Sequence, residues 1–309
     1  MEKIRLEGFK NRSDKSLFVF MTEVIAKLKS IGKIRISETY TATLRSFRRF
    51  RNNQDVKFSE ITTDLMVAYE SFLQNNNLCP NSTSFYMRNL RAVYNRAVDL
   101  KLTTQRYPFR NVYTGIDKTI KRAILLPELR HIKQMSFTHN PTCEFARDMF
   151  LFSFYTRGMA FVDMAFLKKE NLSNGTLSYR RQKTGQLLFI KWEKCMQEIV
   201  DKYDTRNSEF LLPIINPLSK NNHRRQYINA AHKINQYLKI IGQELQLPFP
   251  LTMYVARHSW ASIAKSKNIP ITVISEGMGH GSESTTRIYL ASLDTKIIDE
   301  ANSLILGSI

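Results

Sequence analysis

The chain is poor in the residues that build disulfides, metal sites and membrane spans. Its 309 residues include three cysteines, Cys79, Cys143 and Cys195. Their number is odd, they lie far apart and no CxxC pair occurs. That excludes a disulfide frame or a cysteine zinc site and predicts reduced core thiols. No His, Asp and Glu residues gather at metal-ligand spacing, and there is no Gly-rich phosphate loop. Met1 to Lys15 is charged throughout and lacks the apolar stretch of a secretory signal. No run approaches the roughly 18 to 20 apolar residues of a membrane span. Together these absences predict a soluble cytoplasmic protein with no membrane role. Acidic residues are scarce too: 27 Asp and Glu stand against 46 Lys and Arg, for a formal net charge of +19. The excess is spread along the chain, and 43% hydrophobic residues are enough to fold it. An evenly basic folded protein fits an extended polyanion, and so predicts a nucleic-acid partner whose condensed counterions are released on binding.

The apolar pattern is mainly helical. Leu17, Phe18, Val19 and Phe20 recur with Val24, Ile25 and Leu28 at helical spacing. A second helix is predicted from Ser37, carrying Leu44, Phe47 and Phe50, a third over Asp64 to Leu73, and a fourth capped by Asn81-Ser82-Thr83-Ser84 with Phe85, Leu90, Val93, Tyr94 and Ala97 on one face. Four helices with short loops predict a small bundle over 1–106. Arg45, Arg48, Arg49 and Arg51 fall within two turns of the second helix, and Arg88, Arg91 and Arg96 lie on the fourth. Acidic i,i+4 partners are nearly absent on both, so the repulsion favours a DNA-facing surface over an ordinary solvated one.

Residues 107–123 read as an extended basic linker, and 124–309 as a second, mostly helical domain. Residues 141–170 are apolar on most sides and predict buried helix. Asn174-Gly175 is a turn signal, and Thr176 to Trp192 reads as two strands joined at Thr184-Gly185-Gln186. The expected fold class is thus mainly α with a small antiparallel sheet. No internal repeat or low-complexity segment is seen.

One constellation carries chemistry. His280 precedes Tyr289 by nine residues across a Gly/Ser turn, and Arg257-His258 lies some twenty residues upstream. Cleaving a phosphodiester requires a nucleophile, cations on the non-bridging oxygens and an acid for the leaving oxygen. A phenol titrates near pH 10 and attacks only with help, while a guanidinium meets two phosphate oxygens at once and stays charged.

Ala256-Arg257-His258-Ser259-Trp260-Ala261-Ser262, then Met278-Gly279-His280 and Tyr289, resembles the tyrosine recombinase (phage integrase) family. The Lys183-Thr184-Gly185 hairpin fits it as well. Tyr155-Thr156-Arg157-Gly158-Met159-Ala160-Phe161-Val162-Asp163 looks like the branch found in conjugative transposons and phase-variation invertases. The resemblance spans essentially the whole chain, and the bundle matches the family's core-binding domain. It implies that Tyr289 is the nucleophile, forming a 3′-phosphotyrosine and releasing a 5′-hydroxyl. Arg257 would clamp the scissile phosphate, Lys183 would protonate the leaving oxygen and His280 would bond the phosphate. His258 reads as a packing histidine. No cofactor is implied, because the phosphotyrosine conserves bond energy and strand exchange then needs neither ATP nor a divalent metal.

Two positions depart from the family's pattern. Tyr254 stands where a histidine or lysine is usual; its phenol can donate to phosphate but is a poor base at neutral pH. Ala160 stands where the first catalytic arginine follows Gly-Met, although Asp163 keeps the acidic place after it. Arg157, just before Gly158, is expected to bring the missing guanidinium from the other side of a sharp turn. Losing such a donor outright costs about 10²- to 10³-fold in rate.

The resulting expectation is a site-specific recombinase whose two domains clasp DNA, acting as a homotetramer on two sites linked by a C-terminal helix. Ile297, Ile298, Ala301, Leu304 and Ile305 supply that helix's apolar stripe. The first fifteen residues are short for a separate arm-binding domain, which favours an invertase or simple integrase. The target sequence and any accessory protein are left open. Two alternatives stay open: a catalytically weak DNA-binding regulator, and an enzyme resembling type IB topoisomerases.

Overall fold

The computed structural model describes residues 16–117, 122–290, 302, 303 and 305–307, with backbone alone at Ile288 and Tyr289. The polar leader, and Ile297, Ile298, Ala301 and Leu304 of the apolar stripe, lie outside the described residues. The chain divides into two compact units, Met1–Lys118 and Thr119–Ile309.

The first unit contains four helices: α1 (Leu17–Ser30), α2 (Ile34–Phe50), α3 (Thr63–Asn75) and α4 (Pro80–Asp99). Helix α2 begins three residues before the expected Ser37. Helix α4 is entered through Cys79 and Pro80, so Asn81 to Ser84 form its first turn and do not cap it. Pro80 suits that place because a first-turn N–H has no helical partner to lose. The core is aromatic: the Phe47 and Tyr69 rings meet edge to face at 4.8 Å, and Tyr69 donates a hydrogen bond to Ser46 Oγ at 2.8 Å. Asn89 Nδ2 donates to Thr43 Oγ1 at 3.0 Å and ties α4 to α2. Val19 is exposed, unlike its apolar neighbours, because it falls on the outer side of α1. Phe85 is only half-buried.

The segment expected as an extended linker is largely packed on this bundle. Phe109 and Val112 are buried in its core, Ser84 Oγ donates to Gly115 O at 2.6 Å, and Asp117 N donates to Asn81 Oδ1 at 2.9 Å. Two apolar side chains flanked by basic residues conceal a docked segment in the sequence.

The second unit opens with α5 (Leu126–Gln134) and α6 (Pro141–Tyr155), the latter capped by Asn140 Oδ1 accepting from Cys143 N at 3.1 Å. Helix does not run on to 170. Arg157 and Gly158 both take left-handed backbone, φ 61° and 73°, and reverse the chain before the short α7 (Phe161–Ala165). A three-stranded antiparallel sheet follows in the order β1 (Leu172–Ser173), β2 (Thr176–Arg180), β3 (Leu187–Lys191). Asn174 and Gly175 join the first two strands with positive φ at both positions, as a two-residue hairpin turn requires. Helices α8 (Lys194–Asp201), α9 (His223–Glu244), α10 (Met253–Ser266), α11 (Ile271–Gly277) and α12 (Glu283–Leu290) complete the described elements. Between α8 and α9 the chain is irregular, although Phe210, Leu211 and Leu212 are buried there.

Under α6 lies a buried charge network. Arg147 Nε donates to Asp148 Oδ1 at 2.9 Å and Nη2 to Glu144 Oε1 at 3.0 Å, and its Nη1 bonds Met135 O. Lys202 and Tyr203 both donate to Asp148 Oδ2, at 3.0 and 2.9 Å.

Candidate active site

The second unit carries a cleft of about 490 Å³ whose lining includes Ala160, Arg181, Lys183, Tyr254, Arg257 and His280. Helix α10 supplies Arg257, which is 5% exposed. Met253, at the start of that helix, donates its N–H to Asn235 Oδ1 of α9 at 2.9 Å, since Thr252 provides no side-chain cap. The Arg257 guanidinium is held by two main-chain carbonyls: Nη1 donates to Gly158 O at 2.7 Å and Nη2 to Met278 O at 2.6 Å. Gly158 cannot carry a side chain here, because a Cβ would sit 2.7 Å from Arg257 Cα.

His280 follows α11 and its turn. Its Nδ1 lies 2.7 Å from the hydroxyl of Thr286, a fully buried residue of α12. Burial, then the charges of Arg257, Arg181 and Lys183, push His280 down to about 4. The ring is therefore neutral at physiological pH and can donate or accept a single proton position toward a ligand. The bond to Thr286 fastens the first turns of α12, the helix that contains Tyr289, at the edge of the cleft. The Tyr289 side chain itself lies outside what is described.

Lys183 is exposed in the loop between β2 and β3. The base of that loop is fixed by Asp163, whose Oδ1 accepts from Gln182 N at 2.9 Å. Burial pushes the Asp163 carboxyl above its usual range, while the main-chain bond and the charges of Arg181 and Arg257 pull the other way. Tyr254 is 59% exposed, and its ring meets the buried His258 edge to face at 4.5 Å. His258 thus packs beneath the tyrosine. Among the described residues, no group of His, Cys, Asp and Glu could hold a metal ion, and no helix is long and apolar enough to cross a membrane.

Arg157 is not in the cleft. Its backbone is left-handed, and it lines a separate pocket with Leu187, Phe189, Trp260 and Glu276. The cleft lining, which omits Arg157, lends no support to the expectation that its guanidinium replaces the missing one. Arg181, which the motifs did not single out, enters the cleft instead. Its signal was there: it lies two residues before Lys183, on the same hairpin.

In the first unit, Arg45, Arg48 and Arg49 are exposed on α2, with Arg48 over the Phe18 ring at 5.2 Å. Arg88 and Arg91 are half-buried on α4, and Arg91 Nη1 donates to Thr114 Oγ1 at 3.1 Å, so part of its donor capacity holds the docked segment. Among the described residues, Arg45, Arg49 and Arg88 make no ion pair.

Residues 16–112 match the family described as the phage integrase SAM-like domain. The chain is similar in structure to the lambda integrase (75–356) dimer bound to a COC′ core site, with a TM-score of 0.66 at 18% identity over 89% of this chain and 95% of that one. The chain has the tyrosine recombinase fold. XerH bound to palindromic difH in a post-cleavage complex matches at 0.64 with 17% identity, over 92% of this chain and 83% of that one. The Tn1549 transposon integrase bound to transposon right-end DNA matches at 0.63 with 11% identity, over 93% and 100%. No curated protein matches by sequence. The recombinase fold places Arg257, Lys183 and His280 around one cleft, with α12 beside them.

Proposed function

We propose that this protein is a site-specific DNA recombinase that cuts and rejoins strands through a 3′-phosphotyrosine on Tyr289. The observation that carries the reading is the gathering of Arg257, Lys183 and His280 in one cleft, with His280 bonded to the helix that contains Tyr289. Arg257 is pre-oriented by two carbonyls, so its guanidinium meets a phosphate with little reorganisation. The Tyr289 phenolic oxygen attacks phosphorus, the bond from phosphorus to O5′ breaks, and the electron pair leaves with O5′. Lys183 donates the proton that O5′ takes up, and the phenol proton passes to water. Neutral His280 and the Tyr254 hydroxyl donate hydrogen bonds to the phosphate oxygens. Religation by the 5′-hydroxyl of the partner strand reverses the same steps and yields a Holliday junction.

Exchange of strands between two DNA sites, in the cytoplasm, is assigned to four protomers. The similarity in fold to a lambda integrase tetramer bound to a Holliday junction supports that assembly. A receiving groove for the C-terminal segment of a neighbouring copy is offered by Leu187, Phe189, Trp260, Ile269 and Val273, a partly exposed apolar set. The exposed arginines of α2, with Arg88 and Arg91, form the DNA-facing surface of the first unit. Within this class, the role is inversion or simple integration.

Covalent trapping tests the reading. Genomic fragments flanking the native gene are incubated with wild type and with Tyr289→Phe, then denatured in detergent. An SDS-resistant adduct from wild type alone is the expected result. Binding without an adduct favours a DNA-binding regulator, the reading that Ala160 and Tyr254 support. Relaxation of plasmid without a specific site favours topoisomerase-like action.

A further inference from the structure

We propose that Arg181 supplies the second guanidinium on the scissile phosphate, in the place that Ala160 leaves without one. The assignment rests on the recombinase reading above.

Arg181 follows β2 directly, is 7% exposed and lines the same cleft as Ala160, Arg257, Lys183 and His280. Its backbone is pinned from both sides. Its N–H donates to Gln186 O at 2.8 Å, its carbonyl accepts from Gly185 N at 2.7 Å, and the next residue's N–H is held by Asp163. The side chain is therefore delivered to the cleft by the hairpin that also carries Lys183.

The two arginines are held in the same way. Arg257 Nη2 donates to Met278 O, and Arg181 Nη1 donates to the next carbonyl, Gly279 O. The loop can lie on the Arg181 stem because residue 279 is glycine: a Cβ there would be 3.3 Å from Arg181 Cδ and 2.9 Å from Leu188 Cδ1.

These carbonyls orient charge without neutralising it. The buried Arg181 Nε has no hydrogen-bond partner among the described residues. The buried carboxylate nearby, Asp163, already accepts from Gln182 N, and burial disfavours its ionised form. Two guanidiniums and Lys183 so line one cleft, whose lining among the described residues includes no carboxylate. Buried cations short of counter-charge are costly unless an anion completes them, and a phosphate with two non-bridging oxygens does so. Burial first, and then the charges of Arg257, Arg181 and Lys183, depress His280 in the same cleft. Arg157 lines a different pocket, its Cδ only 3.7 Å from where a Cβ on Gly277 would be.

The test uses full-length protein and a nicked suicide duplex made from the fragment that wild type captures. Arg181→Ala is expected to bind this duplex nearly as well as wild type but to form adduct about 10²- to 10³-fold more slowly, with Arg181→Lys intermediate and Arg157→Ala within about threefold of wild type. On a duplex with a neutral methylphosphonate at the scissile position, the Arg181→Ala deficit should shrink by about tenfold or more, because less charge needs a second cation. A merely structural Arg181 would show equal deficits on both duplexes, and that result overturns the assignment. So does Arg181→Ala cleaving at the wild-type rate. If Arg181→Ala misfolds by circular dichroism, the same comparison is made with Arg181→Lys. No adduct from wild type removes the recombinase reading and this assignment with it, whereas a wild-type adduct with an indifferent Arg181→Ala removes the assignment alone.

Discussion

Gly158 and Arg257 are locked together: the glycine carbonyl accepts the arginine's Nη1 at 2.7 Å, and a Cβ on the glycine would strike Arg257 Cα at the same 2.7 Å. The sharp turn after α6 and the arginine proposed to bind the phosphate are therefore one structural unit. Gly158→Ala must distort a φ of 73° and push α10 away. The expected cost is about 1–3 kcal/mol in urea unfolding, together with a loss of adduct formation larger than the loss of DNA binding.

His280 gives a pH signature. Its folded value, about 4, lies below the ordinary 6.5. Between these two values the unfolded chain binds a proton that the folded chain does not. This contribution to stability is complete above about pH 6.5 and is lost as the pH falls toward about 4. Denaturation series at about pH 5 and about pH 8 should show His280→Gln losing less stability on acidification than wild type does. The cleavage rate should show no inflection from His280 between about pH 6 and pH 8.

Asp148, a buried residue of α6, accepts from Arg147, Lys202 and Tyr203. Asp148→Ala leaves a buried guanidinium short of a partner. Urea unfolding should register a loss of about 3–5 kcal/mol. Adduct formation at a temperature where the variant stays folded should be unchanged, since the network lies outside the cleft lining.

The exposed arginines of α2 should set the salt dependence of DNA binding. Arg45→Gln and Arg49→Gln are each expected to weaken binding across sequences and to lower the slope of log Kobs against log salt by about one, read by fluorescence anisotropy. Arg91→Gln should lower it less, because Arg91 already bonds Thr114.

Much was legible in the chain because it is local. Helical periodicity gave the bundle, Asn174-Gly175 gave a turn, Thr176 to Trp192 gave β2 and β3 but not the two-residue β1, and the Arg257, His280 and Tyr289 motifs carried the family resemblance. Helix starts were missed where Pro80 or an adjoining segment settled the end, and Phe109 and Val112 read as linker because docking depends on a partner surface.

The sequence by itself determined the reactive groups and the gap at Ala160: residue type fixes which side chains can attack, donate or stay charged. The tertiary structure alone decided which arginine lines the cleft with Ala160. Arg157 lines a separate pocket, whereas β2 and the carbonyl of Gly279 hold Arg181 in the cleft. A side chain's reach is readable from its length, but its direction depends on backbone dihedrals and on carbonyls about a hundred residues away along the chain.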